Sequence, residues 1–438
     1  MHEFQVFNEL LSNGLKFIHI NNPLTKAFEI SLYVKSGSRD EKKLENGIAH
    51  FLEHMLFRGS KNYKTSFELS KKLESFGGEA NATTSIDMTT IWLRGQQNMF
   101  KEALECFYEF VNFPNYADLE LERSIVLEEM ASDYNDTGVN IDLEYRSFNT
   151  LFPNSALGRS IIGTPNSCKL ISKFQLEGFK NKFYTLDNII LAITSNDTHT
   201  NVLEHVNKIF NNQNNFSKKT SKQKRKPPNF DCTKEATVLC VPNQDNQFMG
   251  RLNFAFLPIE SKQHVGMCCI QRYLDDGISS HLPATLRESL GLVYDISVDY
   301  TTYSDFNLFQ VDFTVSEKNL ESFLINFFKY FNLNDLDNSC LNHLVSRYIF
   351  DLETSQEHPS QILNREIFNL TSSPQMTFQH EIQYVNQIAI SDLLNAWNIL
   401  TTLSNISFVL IGPKAKKYNK ILTHQINIWR ATHGKRGI

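Results

Sequence analysis

Residues 46–60 read NGIAHFLEHMLFRGS, and the spacing inside that stretch governs how the rest of the chain is understood. His50, Glu53 and His54 stand among Ile48, Phe51, Leu52, Met55 and Leu56. Apolar residues recurring with this period predict a helix buried on at least one face, here over 44–57 with Asn46 as N-cap and Gly59 as stop signal. Positions four apart lie on one side of a helix, so His50 and His54 aim at one point. Two imidazoles at that spacing suit Zn²⁺. Glu53 sits beside that point without having to bind it, where a general base for a metal-activated water belongs. The competing reading is a buried helix that happens to hold two His and a Glu. Burying those groups together needs a physical reason, and a metal supplies one.

A catalytic zinc takes a third protein ligand and keeps one position open. The segment LELERSIVLEEMASDYND, 119–136, offers candidates. Glu122 and Glu129 are two helical turns apart and share a face, whereas Glu128 lies about 100° round from Glu129. If Glu129 binds the metal, Glu122 can steady a ligating His or the water. On spacing alone a solvated acidic face explains this helix equally well.

The 438 residues are 41% hydrophobic and 21% charged, with 34 Phe and 15 Tyr, enough apolar bulk for more than one core. The net charge of −5 does not suggest a nucleic-acid partner. No stretch approaches the roughly 18 apolar residues of a membrane helix, so no membrane partner is expected. The start, MHEFQVFNELLSNGLKF, shows no secretory pattern, and its first Arg is Arg39. Seven Cys, with no C-x-x-C, argue against a disulfide framework or a Cys-rich zinc site and favour a reducing, cytoplasmic location. No G-x-S-x-G elbow and no evident Cys/His pairing favours a serine or cysteine protease.

Residues 211–229, NNQNNFSKKTSKQKRKPPN, are polar, basic and aperiodic, and read as a solvated linker. Set at 211–232, it separates a first domain, 1–210, from a second, 233–438. Strands are expected at 28–34, 89–93, 189–194, 236–241, 251–256, 297–303 and 306–315. Helices are expected at 65–76, 100–111, 119–134 and 265–275. Strands followed by helices in both halves give an α+β class with two related domains, each a mostly antiparallel sheet packed with helices. The relation rests on element order, because no exact repeat is present.

H-x-x-E-H is the inverzincin order. Together with RDE at 39–41, GGEANATTSIDMT at 77–89, LERSIVLEEM at 121–130, ALGRSIIGTPNSC at 156–168 and DDGISSHLPATLRESLGLVYDIS at 275–297, it resembles the pitrilysin-type zinc metallopeptidases. The likeness is to their short two-domain branch, with bacterial processing proteases and mitochondrial processing peptidase subunits. It extends over nearly the whole chain. It implies one Zn²⁺ per chain held by His50, His54 and Glu129, with Glu122 in support and Glu53 as base. It also implies an Arg–Tyr pair at Arg287 and Tyr294, residues that nothing else in the sequence singles out. His281 stands where the family commonly has Arg.

From the resemblance comes the expectation of a zinc endopeptidase for short or unfolded peptides, enclosed in a clamshell of two halves. The peptide would add as a strand on the edge near 80–84, touching Asn81 and Ala82; a turn-capping role for Asn81 competes. Because the zinc residues and the Arg–Tyr pair occur in one chain, a self-sufficient homodimer is expected, with a heterodimer beside a related subunit as the alternative. Two other readings are a non-catalytic structural or partner subunit and a peptidase dedicated to removing leaders during peptide maturation.

Overall fold

Along Thr89–Gln96 buried and more exposed residues alternate, the period-two signature of a strand with one face on a core. The computed structural model describes residues 4–211, 225, 227–231 and 235–433. Chain contacts divide it into two units, one of 1–133 and 155–224, the other of 134–154 and 225–438.

The first unit holds β1 (Gln5–Leu10), β2 (Lys16–Asn21), β3 (Ala27–Val34), β4 (Glu79–Thr84), β5 (Thr89–Gln96) and β6 (Ile189–Ser195). They form one sheet in the order β1-β2-β6-β3-β5-β4, antiparallel except for the pair β2 and β6. Phe28, Ile30, Leu32 and Val34 of β3 alternate onto one face. They share a core with Phe51, Leu52 and Met55 of the helix Ile48–Leu56, with Phe107 and Phe110 of Phe100–Asn112, and with Phe179 of Lys173–Phe183. Each such fully buried side chain contributes roughly 1.5–3 kcal/mol, so the helix that carries His50 and His54 is anchored by its apolar positions.

The second unit holds β7 (Thr237–Pro242), β8 (Gln247–Phe256), β9 (Asp295–Thr302), β10 (Asn307–Ser316) and β11 (Asn405–Gly412), in the order β7-β11-β8-β10-β9. Only β7 and β11 run parallel. This repeats the first sheet strand for strand from β2 onward: β2-β6-β3-β5-β4 becomes β7-β11-β8-β10-β9. Duplication, argued from element order in the sequence, is therefore visible in topology. The expected strands all form; β1, β2, β4 and β11 are additional, β4 lying where only an edge for a peptide was expected.

The units are not simply the chain halves 1–210 and 233–438. Residues 134–154 pack with the second unit. Val139, Ile141 and Leu143 lie against Val241, Val409 and Ile411, and Phe152 meets Phe306 edge-on at 5.3 Å. These apolar residues follow the Glu129 helix directly in sequence, and only long-range packing assigns them elsewhere. Most of the expected linker at 211–232 lies outside the described residues.

The helix start also differs from expectation. A short turn, Lys43–Glu45, is followed by Gly47 at φ 91°, and the helix begins at Ile48. That left-handed φ suits glycine, and a Cβ there would stand 2.5 Å from the Ile162 carbonyl oxygen. Asn46 is not the cap. Its amide donates to Glu41 at 3.0 Å and to the Ser160 carbonyl at 2.8 Å. The capping acceptor is Glu41, whose carboxylate takes the backbone N–H groups of Gly47 at 2.8 Å and Ala49 at 3.0 Å. Burial pushes the Glu41 carboxyl up to about 8, against these hydrogen bonds and the charge of Arg159.

Candidate metal centre

His50 and His54 stand one turn apart, their rings 4.6 Å centre to centre. The helix Leu119–Ala131 brings Glu129 to them: His50 Nε2 lies 3.5 Å from one Glu129 oxygen, and His54 Nε2 lies 3.5 Å from the other. These three residues offer ligand atoms within 4.8 Å of one another, the one such trio among the described residues. The spacing is long for charge-assisted hydrogen bonds. It matches the roughly 3.3–3.5 Å between neighbouring ligands on a tetrahedral zinc with bonds near 2.0–2.2 Å. His50 Nδ1 is buried without a hydrogen-bond partner. By the spacing and donor types of the trio, the residues present fit a metal of this class.

Electrostatics favour an anionic, metal-attracting pocket. Glu129, whose side chain is nearly half exposed, has a depressed pKa, chiefly from its interaction with His50, against the effect of burial. Glu122 is buried, which works against its charge, yet bonds from His54 and Arg58 bring its pKa down on balance. Its Oε1 accepts from His54 Nδ1 at 2.6 Å, and its Oε2 accepts from Arg58 Nε. Burial would lower the His54 pKa, but Glu122, with Glu129 and Glu53, raises it. With Nδ1 committed to Glu122, Nε2 is the nitrogen left for a metal. Glu128, the neighbour that spacing could not exclude, is exposed and outside the trio.

Glu53 lies on the same helix, half-buried, and its Oε2 accepts a hydrogen bond from Thr84 Oγ1 at the end of β4. Tyr184, fully buried, has its phenol pushed up by burial and by the Glu53 charge. Asn81 turns its Oδ1 onto the N–H of Ala82 at 2.8 Å, and Ala82 buries its side chain in the core. Both lie on β4, the outermost strand of its sheet, and the Asn81 side chain is exposed there.

Arg287 and Tyr294 belong to the second unit. Arg287 lies in the helical turn Pro283–Ser289, its Nε 3.5 Å from Glu288. Tyr294 precedes β9 with 74% of its surface exposed, held by its backbone N–H to the Thr314 carbonyl. Both side chains are thus available to an outside group. His281 donates to the Tyr330 carbonyl at 2.8 Å and stacks on Tyr273, a structural role.

Sequence reasoning missed Arg58, Thr84 and Tyr184. Arg58 and Thr84 fall inside segments quoted for their motifs, but no spacing rule links them to Glu122 or Glu53. It also missed a Cys/His pair: Cys268 Sγ lies 3.6 Å from His264 Nε2. Burial drives the cysteine up to about 12 and the histidine down to about 4, so both are neutral and the thiolate of a cysteine protease is absent. Ser195, His19 and His199 also form a chain, at 3.0 and 3.3 Å, but Ser195 is sealed from solvent. The six described cysteines are all free, and no described helix is long and apolar enough to cross a membrane.

The model of the family described as Insulinase (Peptidase family M16) matches residues 16–165, and that of the Peptidase M16 inactive domain matches 171–333. Among curated proteins the chain is 28% identical over 318 residues to an uncharacterized zinc protease of Rickettsia bellii, covering 71% of this chain and 74% of that one. It is 27% identical over 295 residues to a zinc protease of Bacillus subtilis, covering 67% and 69%. It is 30% identical over 202 residues to a probable mitochondrial-processing peptidase subunit beta of Arabidopsis thaliana, covering 46% and 38%. A crystal structure of a protease from Helicobacter pylori shares the fold with a TM-score of 0.83 at 21% identity, covering 94% of this chain and all of that one.

Proposed function

This chain belongs to the M16 peptidase family, and from that premise we propose that it is a zinc-dependent endopeptidase acting on short or unfolded peptides. The observation that carries the reading is the convergence of His50, His54 and Glu129, with Glu53 beside them on the same helix. Relatives that carry the name zinc protease support zinc as the metal.

Bound zinc would acidify a water and polarise the peptide carbonyl. His50 and His54 present Nε2, Glu129 presents a carboxylate oxygen, and Glu122 keeps the His54 ring oriented. Glu53 takes the proton from the attacking water and passes it to the leaving nitrogen. Thr84 holds the Glu53 carboxylate while that proton moves. Tyr294 and Arg287 act on the substrate, the phenol as donor to charge developing on the carbonyl oxygen and the guanidinium as a hold on peptide backbone. The peptide pairs with the free edge of β4, where backbone hydrogen bonds give affinity with little demand on sequence. The enzyme works in the cytoplasm, as a homodimer or with a related subunit.

Metal content and cleavage of a mixed peptide library, on wild type and Glu53→Gln purified alone, test the reading. About one zinc per chain in both, with cleavage by wild type only, is expected. Zinc without cleavage in wild type points to a missing partner chain. Absence of zinc uptake moves the chain to a structural role.

A further inference from the structure

Arg58 lies four residues after His54, just past the end of the helix Ile48–Leu56, where the turn still continues through the bonds from Phe57 N to His54 O and from Arg58 N to Met55 O. Its side chain is only 15% exposed and reaches Glu122, a carboxylate itself buried. Each Glu122 oxygen therefore has its own donor, His54 Nδ1 on Oε1 and Arg58 Nε on Oε2.

We propose that Arg58 is a positioning residue for the metal centre, acting through Glu122 to fix the ring of His54; the inference rests on the zinc reading of that site. The last torsion of a glutamate is broad, so a single hydrogen bond leaves the carboxylate free to swing and the imidazole to follow it. A donor on the second oxygen fixes the plane. Arg58 also brings a permanent positive charge to a buried anion, which costs free energy without one. A lysine would keep that charge but not the rigid planar donor geometry. At a helix end a cation is ordinarily explained by the helix dipole; here the side chain turns instead to a ligand's supporting carboxylate.

Zinc affinity by chelator competition, measured on the full chain, decides the matter, together with thermal unfolding of the metal-free proteins. Arg58→Met should weaken zinc binding about 10- to 100-fold, and Arg58→Lys should fall between it and wild type. In a Glu122→Ala background, Arg58→Met should add no further loss, since its route runs through that carboxylate. Wild-type affinity in Arg58→Met overturns the inference. So does a full loss that persists in the Glu122→Ala background. If Arg58→Met does not fold, an Arg58→Lys chain equal to wild type in zinc affinity overturns the geometric claim by itself. Wild type that takes up no zinc brings down the zinc reading and this inference with it, whereas wild type that binds zinc isolates Arg58.

Discussion

The first unit and the second share a sheet order and place a helix at the same point in it, yet they put different groups there. Between β3 and β4 runs Ile48–Leu56, with His50 and His54; between β8 and β9 runs Ser261–Leu274, with His264 and Cys268 at the same four-residue spacing. The second helix after β5, Leu119–Ala131, supplies Glu129, and the second helix after β10, Asn338–Ser355, supplies Tyr348. In the first unit the trio leaves three ligand atoms facing one another. In the second, His264 meets Tyr300 and Cys268, and Tyr348 donates to Glu381 at 2.7 Å, while the other Glu381 oxygen is taken by Arg365. The carboxylate there is already paired on both oxygens, by the Tyr348 hydroxyl and the Arg365 guanidinium, and the nearby His264 and Cys268 are neutral. One scaffold therefore carries either three ligand atoms turned to one point or a closed hydrogen-bond network, and the side chains at two helix positions and one more decide which.

The largest effect that could break this contrast is on turnover. Glu53→Gln should lower kcat by about 10²- to 10⁴-fold with zinc retained, while His264→Gln should leave kcat near wild type; comparable losses in both would remove the functional distinction between the units. Glu129→Gln should weaken zinc by more than about 100-fold, beyond what supporting residues usually give, and Glu128→Gln should change it little. Chelator titration of the two variants side by side checks this, and reversal of the order would move the third ligand to Glu128.

Acid should act on both units alike. His19 and His264 are buried, and burial lowers each to about 4. The unfolded chain takes up these protons first, below about pH 6.5. Their contribution to stability is therefore intact above that pH and is lost as pH falls toward 4. Between pH 7 and pH 5 each costs about 2 kcal/mol. Urea unfolding of His19→Gln and His264→Gln should show a correspondingly flatter acid limb; an unchanged slope would assign the acid sensitivity elsewhere. Tyr294→Phe should lower kcat more than it raises KM, since a donor to developing charge acts in the transition state; steady-state kinetics showing a pure KM effect would make Tyr294 a binding residue. The smallest change is expected from Cys268→His, which gives the second unit two histidines but no free carboxylate. Zinc should remain at about one per chain by metal analysis, and a second equivalent would show that the Glu381 pairing is not what closes that site.

Much of the candidate site was legible in the sequence because it depends on local periods. A helix of 3.6 residues per turn puts His50 over His54, and Glu122 over Glu129, whatever surrounds them. The same logic located the main strands and the order that betrays two related domains. Cap assignment was less legible: Asn46 looked like the cap by position, but Glu41 reaches the free N–H groups of Gly47 and Ala49 from outside the helix.

By itself, then, the sequence determined which residues share a helical face and so could meet a metal together. Tertiary structure decided what closes across the chain: the approach of the Glu129 helix to the two imidazoles, Arg58 on Glu122, Thr84 on Glu53, and residues 134–154 in the second unit. The reason is physical. Helix and strand periods are fixed by backbone geometry within a few residues, whereas these contacts depend on how separate elements pack, and no local spacing encodes that packing.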